Sequence, residues 1–326
     1  MDKNSVTERI PSRDWRKLLR KPASPGDWLF RAVTMIAALA LLAVMATMLV
    51  YLFEDAGAAI FHFGGGFLSS SAWDPVRDEF GALPAIFGTL LTSTIALLVS
   101  VPLSLGVAIY LVELAPLWLR RPASFLIELL AAVPSVVLGL WALFVMVPII
   151  RDPVEQWLGK WLGFLPLFKG PPLGVGFLSG GLILVLMTLP IIIAVASESL
   201  AAVPSSQREA MIALGATRWE AITVAVLPYA RSGILAAVML GLGRAIGETM
   251  AVTMVIGNGY QVAASLFAPG NTMASKIATE FAEASGDLYT GSLIELALIL
   301  FAITLVINIT GRLLARKLSA VPRERG

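Results

Sequence analysis

Six long apolar stretches decide what this 326-residue chain can fold into. Each has at least 22 residues, and a bilayer core of about 30 Å is crossed by roughly 20 helical residues. With 57% hydrophobic and 14% charged residues, the chain is predicted to be an all-α, polytopic membrane protein with six transmembrane helices. The stretches are 32–53, 80–112, 129–150, 170–197, 232–256 and 288–311.

The distribution of Lys and Arg predicts that both termini lie in the cytoplasm. Eighteen of the 24 basic residues fall in segments that would then be inside, five would be outside, and Arg244 lies within an apolar stretch. Inner loops of membrane proteins carry such an excess. We therefore expect a cytoplasmic tail at 1–31, a transmembrane domain at 32–315 and a second cytoplasmic tail at 316–326.

The N-terminal tail differs from a cleaved signal peptide, because its basic region has 31 residues and the apolar stretch behind it has 22. We interpret it as a tail followed by a retained membrane anchor. Two interpretations fit the segment DWRKLLRK at 14–21. It is either an interfacial helix on the anionic inner leaflet or a solvated tail whose charge sets the orientation.

The composition excludes several kinds of chemistry. The chain has no cysteine, so disulfides and thiolate metal sites are excluded, and its one histidine, His62, is interpreted as a loop residue. It has no Gly-x-x-x-x-Gly-Lys-Ser/Thr loop and no nucleophile–base pair. No basic patch is interleaved with aromatic residues. We predict no catalytic residues, no metal, no cofactor in this chain and no nucleic-acid partner.

Residues 204–228, here called the polar loop, form a charged segment between two apolar stretches. A proline and two serines at its start favour the beginning of a helix, and Gly215 favours its end after about two turns. Thr217 can cap a second helix, which Leu227 and Pro228 would end. We predict a rigid cytoplasmic knob that passes force to a soluble partner. The alternative is an amphipathic interfacial hairpin without that role.

The polar loop resembles the loop shared by permease subunits of ATP-binding-cassette (ABC) importers. That pattern is Glu-Ala-Ala, three residues, Gly, nine residues, Ile, one residue, Leu-Pro, and this chain departs from it at Met211 and Ala225. The resemblance implies that the loop inserts into a groove of a separate ATPase subunit, which binds ATP and Mg. The matching positions, expected to couple to that ATPase, are Glu209, Ala210, Gly215, Leu227 and Pro228.

Two further segments are similar to signatures of phosphate-importer permeases, namely AVPSVVLGLW at 132–141 and GRAIGETMAV at 243–252. The tryptophan after Gly-Leu and the Thr-Met-Ala-Val ending are closer to the PstC-type subunit than to its PstA-type partner. This resemblance implies a type I ABC importer permease fold in the bacterial inner membrane. The implied partners are a PstA-type permease, two copies of an ATP-binding subunit, an extracytoplasmic phosphate-binding protein, phosphate and membrane lipid.

Arg244 and Glu248 are expected to pair inside the membrane. In one continuous helix over 232–256, Arg244 would lie about 12 or 13 residues from either end, near the bilayer midplane, with Glu248 one turn further on. Gly243 and Gly247 would form a seam that another helix approaches closely. A central arginine costs about 2.5–3.5 kcal/mol to insert, so it is not expected to face lipid.

Two interpretations of this pair are possible. It is either a structural ion pair that orients two helices, or an anion site or gate in which Arg244 binds phosphate oxygens and Glu248 keeps the guanidinium oriented. The resemblance favours the second, because both residues lie in the family signature. Weaker candidates for the substrate pathway are Glu295, which would also suit the headgroup level, and Lys276 at the outer mouth.

Other functions are compatible with the sequence. One alternative is a permease of the same architecture that transports another oxyanion or a small solute. A secondary transporter would use Arg244 and Glu248 in a proton relay, would work without ATP and would leave the polar loop unexplained. A membrane scaffold or sensor would show no transport at all.

Overall fold

The computed structural model describes residues 25–319 and gives side-chain surroundings for 26–315. The segment 14–21 and most of both predicted tails lie outside the described residues. The chain divides into two compact units, one that ends at Tyr51 and one that begins at Leu52. The first unit contributes the first part of helix α1, and the second contains the rest of α1 and every other element.

The described elements are helices, apart from one short antiparallel hairpin. In chain order they are α1 (Pro25–Phe63), α2 (Gly66–Ser69), β1 (Trp73–Asp74), β2 (Glu79–Phe80), α3 (Leu83–Leu114), α4 (Leu117–Ala132), α5 (Ser135–Leu162), α6 (Phe177–Ala201), α7 (Ser205–Ala213), α8 (Arg218–Gly247), α9 (Met250–Val255), α10 (Met273–Glu280) and α11 (Asp287–Ser319). A short 3₁₀ turn occupies Pro166–Phe168.

Six of these helices are long and apolar enough to cross a membrane, namely α1, α3, α5, α6, α8 and α11. The all-α class and the predicted number of spans are therefore confirmed. The spans extend beyond the apolar stretches at several ends, since a helix continues into polar residues as long as its backbone hydrogen bonds are satisfied.

The third span is displaced from its predicted position. The backbone is extended at Val133 and Pro134, so α4 ends at Ala132 and α5 begins at Ser135. A residue before proline is driven away from the helical region, which explains the break. The predicted stretch at 129–150 therefore begins inside α4 (Leu117–Ala132), and the span α5 continues beyond its predicted end to Leu162.

Helices α3 and α6 form the centre of the second unit, because small residues let their backbones approach closely. A Cβ at Gly181 on α6 would lie 2.6 Å from the side chain of Ile95 on α3. The hydroxyl of Ser104 donates to the carbonyl of Leu189 at 3.3 Å. Of the most apolar 18-residue segment of α6, 61% is buried, against 28% or less of the corresponding segments of the other spans. Helix α6 is thus the central helix.

The end of the helices that carries β1 and β2, here called the hairpin end, is closed by aromatic and apolar packing. Phe67 and Phe80 are buried against Met273 of α10 and Leu293 of α11. The backbone N–H of Met273 donates to the hydroxyl of Thr89 at 2.9 Å, which ties α10 to α3. The polar loop lies where α6 ends and α8 begins, at the opposite end of these helices.

Candidate functional site

Helix α7 of the polar loop starts at a proline and ends in a glycine turn. Pro204 is itself the N-cap, and the two serines that follow lie inside the first turn of the helix. At the other end, Gly215 has φ +84°. The N–H groups of Gly215 and Ala216 donate to the carbonyls of Ile212 and Met211 at 2.9 and 3.1 Å. This C-terminal motif requires a left-handed residue, which glycine provides without strain.

The second predicted helix of the polar loop is the beginning of α8. Thr217 caps it as expected, because its hydroxyl accepts the N–H of Glu220 while the Glu220 carboxylate accepts the N–H of Thr217 at 2.7 Å. The expectation that Leu227 and Pro228 end this helix is wrong, since α8 continues to Gly247. A wide, π-helical turn at Ala221–Val226 directly precedes this pair. A π-helical turn shifts the pattern of backbone hydrogen bonds along the helix, and it does so here just before Pro228, which has no backbone N–H to donate.

The positions expected to couple to an ATPase divide into two groups. Glu209, Ala210 and Gly215 are exposed at the tip, whereas Leu227 is half-buried in the helix base and Pro228 is exposed beside it. The tip also exposes apolar side chains that the sequence reasoning did not single out, with Leu214 84% exposed. Ile212 and Trp219 are exposed as well. Exposed apolar side chains close in sequence to the exposed carboxylate of Glu209 are suited to docking on a protein.

Arg208, also on α7, makes the most extensive ion pair in the described part of the chain. Its Nη2 lies 2.6 Å from Oε1 of Glu113, and its Nε donates to both oxygens of that carboxylate at 3.1 and 3.0 Å. The same guanidinium donates to the carbonyls of Val203 at 2.6 Å and Leu200 at 2.9 Å. Arg208 therefore links α7 to the last turn of α3 and to the end of α6.

Arg244 and Glu248 pair as predicted, but at a helix end. The Nη2 of Arg244 lies 3.2 Å from Oε2 of Glu248, and the two side chains are 43% and 5% exposed. Helix α8 ends at Gly247, and Glu248 has extended backbone angles of φ −70° and ψ 127°. The predicted continuous helix over 232–256 is therefore wrong, because the apolar stretch is divided into α8 and α9.

The position of Arg244 changes with that break. It is the fourth residue from the end of α8 and does not lie midway along a span. The predicted glycine seam also makes no close contact among the described residues, since a Cβ at Gly243 or Gly247 would meet no atom within 4 Å there. Close contacts on α8 occur instead at Gly233 and Gly241, which pack on α6. The face of α8 that carries Gly243 and Gly247 is open in the described structure.

Lys276 lies in a closed cluster at the hairpin end. Its ammonium is 2.5 Å from the carboxylate of Glu280 and lies over the rings of Trp73 and Tyr260, at 4.6 and 4.3 Å from their centres. Burial lowers the pKa of Lys276, an effect that the hydrogen bond and charge of Glu280 oppose. Burial also raises the pKa of Tyr260. The carboxylate of Glu280 additionally accepts hydrogen bonds from Trp73 and from Tyr289.

Glu295, the remaining candidate, is buried on α11, and its Oε2 has no hydrogen-bond partner among the described residues. The four predicted pathway residues therefore do not form one cluster, since Arg244 pairs with Glu248 and Lys276 pairs with Glu280. Residues 25–319 contain no group of three His, Cys, Asp or Glu side chains placed to hold a metal ion.

Two features of the site were missed by sequence reasoning. Arg208 was treated only as one of the charges that set orientation, and Glu113, at the end of an apolar stretch, was not considered. The Trp73–Glu280–Lys276 cluster was missed because Trp73 is about 200 residues from the other two members in the chain. The sequence does contain a signal for Glu113, because it is a single carboxylate directly after an apolar stretch. A carboxylate in such a place needs a hydrogen-bonding or charged partner.

The chain is similar to proteins of one transport family along most of its length. The family model described as "Binding-protein-dependent transport system inner membrane component" matches residues 100–320. The phosphate transport system permease protein PstC of Mesorhizobium japonicum is 43% identical over 322 residues, which cover 97% of this chain and 98% of that protein. The protein of the same name from Haemophilus influenzae is 45% identical over 294 residues, which cover 89% and 93%.

A solved structure supports the fold. A bacterial ABC transporter involved in the import of the acidic polysaccharide alginate contains a chain that matches with a TM-score of 0.57 at 18% identity, over 92% of this chain and 99% of that chain. The fold is that of type I ABC importer permeases, as the resemblance implied, and the six apolar helices make the chain a multi-pass protein of the inner membrane. The chain belongs to the family of binding-protein-dependent transport system inner membrane components.

Proposed function

We propose that this chain is the PstC-type permease subunit of an ATP-driven phosphate importer. It forms the translocation pathway together with a PstA-type permease. Two copies of an ATP-binding subunit bind on the cytoplasmic side, and a phosphate-binding protein delivers phosphate from outside. The proposal is supported by similarity to phosphate permeases of 43–45% identity along nearly the whole chain.

One observation carries the proposed pathway, namely the Arg244–Glu248 pair at the break between α8 and α9. The carboxylate is buried and the guanidinium is partly exposed beside the open glycine face of α8. A guanidinium presents a planar fork of donors that matches phosphate oxygens. Glu248 holds that fork in place and reduces the net positive charge, so that the anion is bound weakly enough to leave.

The other predicted pathway residues have lesser roles in this proposal. Glu295 is buried with one free carboxylate oxygen, which is compatible with a place near the pathway or at the headgroup level. The ammonium of Lys276 is already surrounded by a carboxylate and two rings, which favours a structural role over contact with an incoming anion. The remaining donors for phosphate would come from hydroxyl groups, helix ends and the PstA-type partner.

The tip of the polar loop docks on the ATP-binding subunit in this proposal. Glu209, Ala210 and Gly215 are exposed there, next to exposed Leu214. Hydrolysis of ATP takes place in the partner, which binds ATP and Mg, so this chain needs no cofactor of its own. Both termini lie in the cytoplasm, and the tails 1–31 and 316–326 flank a permease domain at 32–315.

Uptake of radioactive phosphate into proteoliposomes tests this function. The assembled complex is reconstituted with its binding protein outside and ATP inside, and the control vesicles contain a non-hydrolysable ATP analogue. We expect uptake only with ATP, with competition by arsenate and none by sulfate or molybdate. Uptake that continues without hydrolysis would favour a secondary transporter, and equal competition by sulfate or molybdate would indicate a permease for another oxyanion.

A further inference from the structure

The side chain of Arg208 connects three parts of the chain that are separate in sequence. It extends from the first half of α7 to Glu113, 95 residues earlier, in the last turn of α3. It also reaches the carbonyls of Leu200, in the last turn of α6, and Val203, in the link to α7. One guanidinium thus binds the exposed helix of the polar loop to the ends of two spans.

This contact is shielded from water and has the geometry of a strong ion pair. The side chain of Glu113 is 9% exposed and that of Arg208 is 24% exposed. The guanidinium approaches both carboxylate oxygens, and such bidentate, charge-assisted bonds fix orientation as well as distance. An arginine satisfies this arrangement and lysine cannot, since lysine lacks the planar fork.

The two carbonyl contacts add a second constraint. The last carbonyls of a helix have no partner within the helix, and α6 ends at Ala201. Arg208 supplies donors to Leu200 and Val203, next to that end. A tilt of α7 away from α6 would therefore break these bonds as well as the ion pair, so α7 and the ends of α3 and α6 are held as one piece.

The attachment of α7 to α8 is of a different kind. Helix α7 rests on the wide turn Ala221–Val226 of α8, to which it is joined by the turn at Gly215. A Cβ added at Gly215 would meet no atom within 4 Å, so this turn is not enclosed by side chains. The Gly215 turn and packing on the wide turn form the link to α8, whereas a partly buried ion pair ties α7 to α3.

We propose that the Arg208–Glu113 pair is the positioning contact through which a displacement of α7 by the ATPase reaches α3 and α6. The inference rests on the proposed function, because it assumes that an ATPase moves α7. In this arrangement α8 is moved through the Gly215 turn, and α3 and α6 are moved through Arg208. Loss of the pair would leave ATP hydrolysis intact and would reduce the transport that each hydrolysis drives.

The test compares Glu113→Gln, Arg208→Lys and Arg208→Gln in the assembled, reconstituted transporter. Phosphate moved per ATP hydrolysed is the measured quantity, because this ratio does not depend on how much complex has folded. We expect the ratio to fall about fivefold or more in Glu113→Gln and Arg208→Gln, and less in Arg208→Lys, which keeps the charge. The matched control is Arg121→Gln, which removes an exposed arginine that makes no ion pair in the described part of the chain.

Each outcome bears on the inference. A ratio within about twofold of the unmodified protein in assembled Glu113→Gln complexes would overturn it. Loss of the ATPase subunit from otherwise folded Glu113→Gln and Arg208→Lys permease would also overturn it, since the pair would then serve docking. If the unmodified complex moves no phosphate with ATP, the proposed function fails, and this result is distinct from failure of the ion-pair inference.

Discussion

The guanidinium of Arg244 lies 3.2 Å from the carboxylate of Glu248, and the helix that carries Arg244 ends between the two residues. The carboxylate of Glu248 is buried and the guanidinium of Arg244 is partly exposed. The buried carboxylate therefore holds a cation in place where the helix ends. An uninterrupted helix would enclose its own polar groups, whereas a break provides free backbone ends near the charge. This combination supports the proposal that Arg244 lies on the pathway of an anion.

Glu248→Ala should destabilise the permease more than Glu248→Gln. Either change removes the charge that faces Arg244, but glutamine keeps an acceptor near the N–H of Ala251, which lies 3.5 Å from Oε1 of Glu248. We expect a loss of about 2 kcal/mol in the free energy of unfolding for alanine and less for glutamine. Thermal unfolding of the purified permease pair measures this, and equal stability of the alanine variant and the unmodified protein would contradict it.

Glu209→Lys should release the ATP-binding subunit. Glu209 is exposed at the tip of the polar loop, and reversing its charge replaces an acceptor by a cation at the docking surface. The measurement is the amount of ATP-binding subunit that co-purifies with the permease. Glu283→Lys makes the same charge change at an exposed residue near the start of α11 and should retain the ATPase. Full retention and uptake in Glu209→Lys would refute the docking role.

Gly215→Ala should weaken coupling through backbone strain alone. The residue has φ +84°, and an added Cβ would meet nothing within 4 Å, so no steric clash contributes. We expect a cost of about 1 kcal/mol for alanine and a smaller cost for asparagine, which tolerates the left-handed conformation. Phosphate uptake should therefore be highest with glycine at position 215, lower with asparagine and lowest with alanine. A better result for alanine than for asparagine would show that the turn is not held in this conformation.

Lys276→Met should lower stability without changing the affinity for phosphate. It breaks a buried pair with Glu280 and removes the cation that contacts Trp73 and Tyr260, at an expected cost of about 3 kcal/mol. The midpoint of thermal unfolding and the KM for uptake are measured together. A raised KM at unchanged stability would instead support the role at the outer mouth that the sequence suggested.

The spans and the glycine turn of the polar loop could be predicted, because each depends on local properties. Apolar length determines a span, and a left-handed turn selects glycine. The i to i+4 spacing of Arg244 and Glu248 likewise predicted their pairing. The end of α8 at Gly247 could not be predicted. Helices α8 and α9 are both apolar, so hydropathy does not detect the break between them. The residues that hold α9 belong to α5 and α6, which lie far away in sequence.

Other errors have the same origin in tertiary contacts. Leu227 and Pro228 suggested a helix end, but a wide turn precedes them and the helix continues. Arg208 and Glu113 are 95 residues apart, and only the meeting of α3, α6 and α7 brings them together. The sequence shows which residues carry charge, and packing decides which of them become partners.

Phosphate uptake by Arg244→Gln tests the central claim most directly. The complex is compared with Arg244→Lys and with Arg231→Gln, which removes an arginine 13 residues earlier on the same helix, and membrane levels are checked by immunoblot. We expect uptake to fall about tenfold or more for Arg244→Gln, less for Arg244→Lys, and to be unchanged for Arg231→Gln. Normal uptake by Arg244→Gln at normal membrane levels would contradict the account.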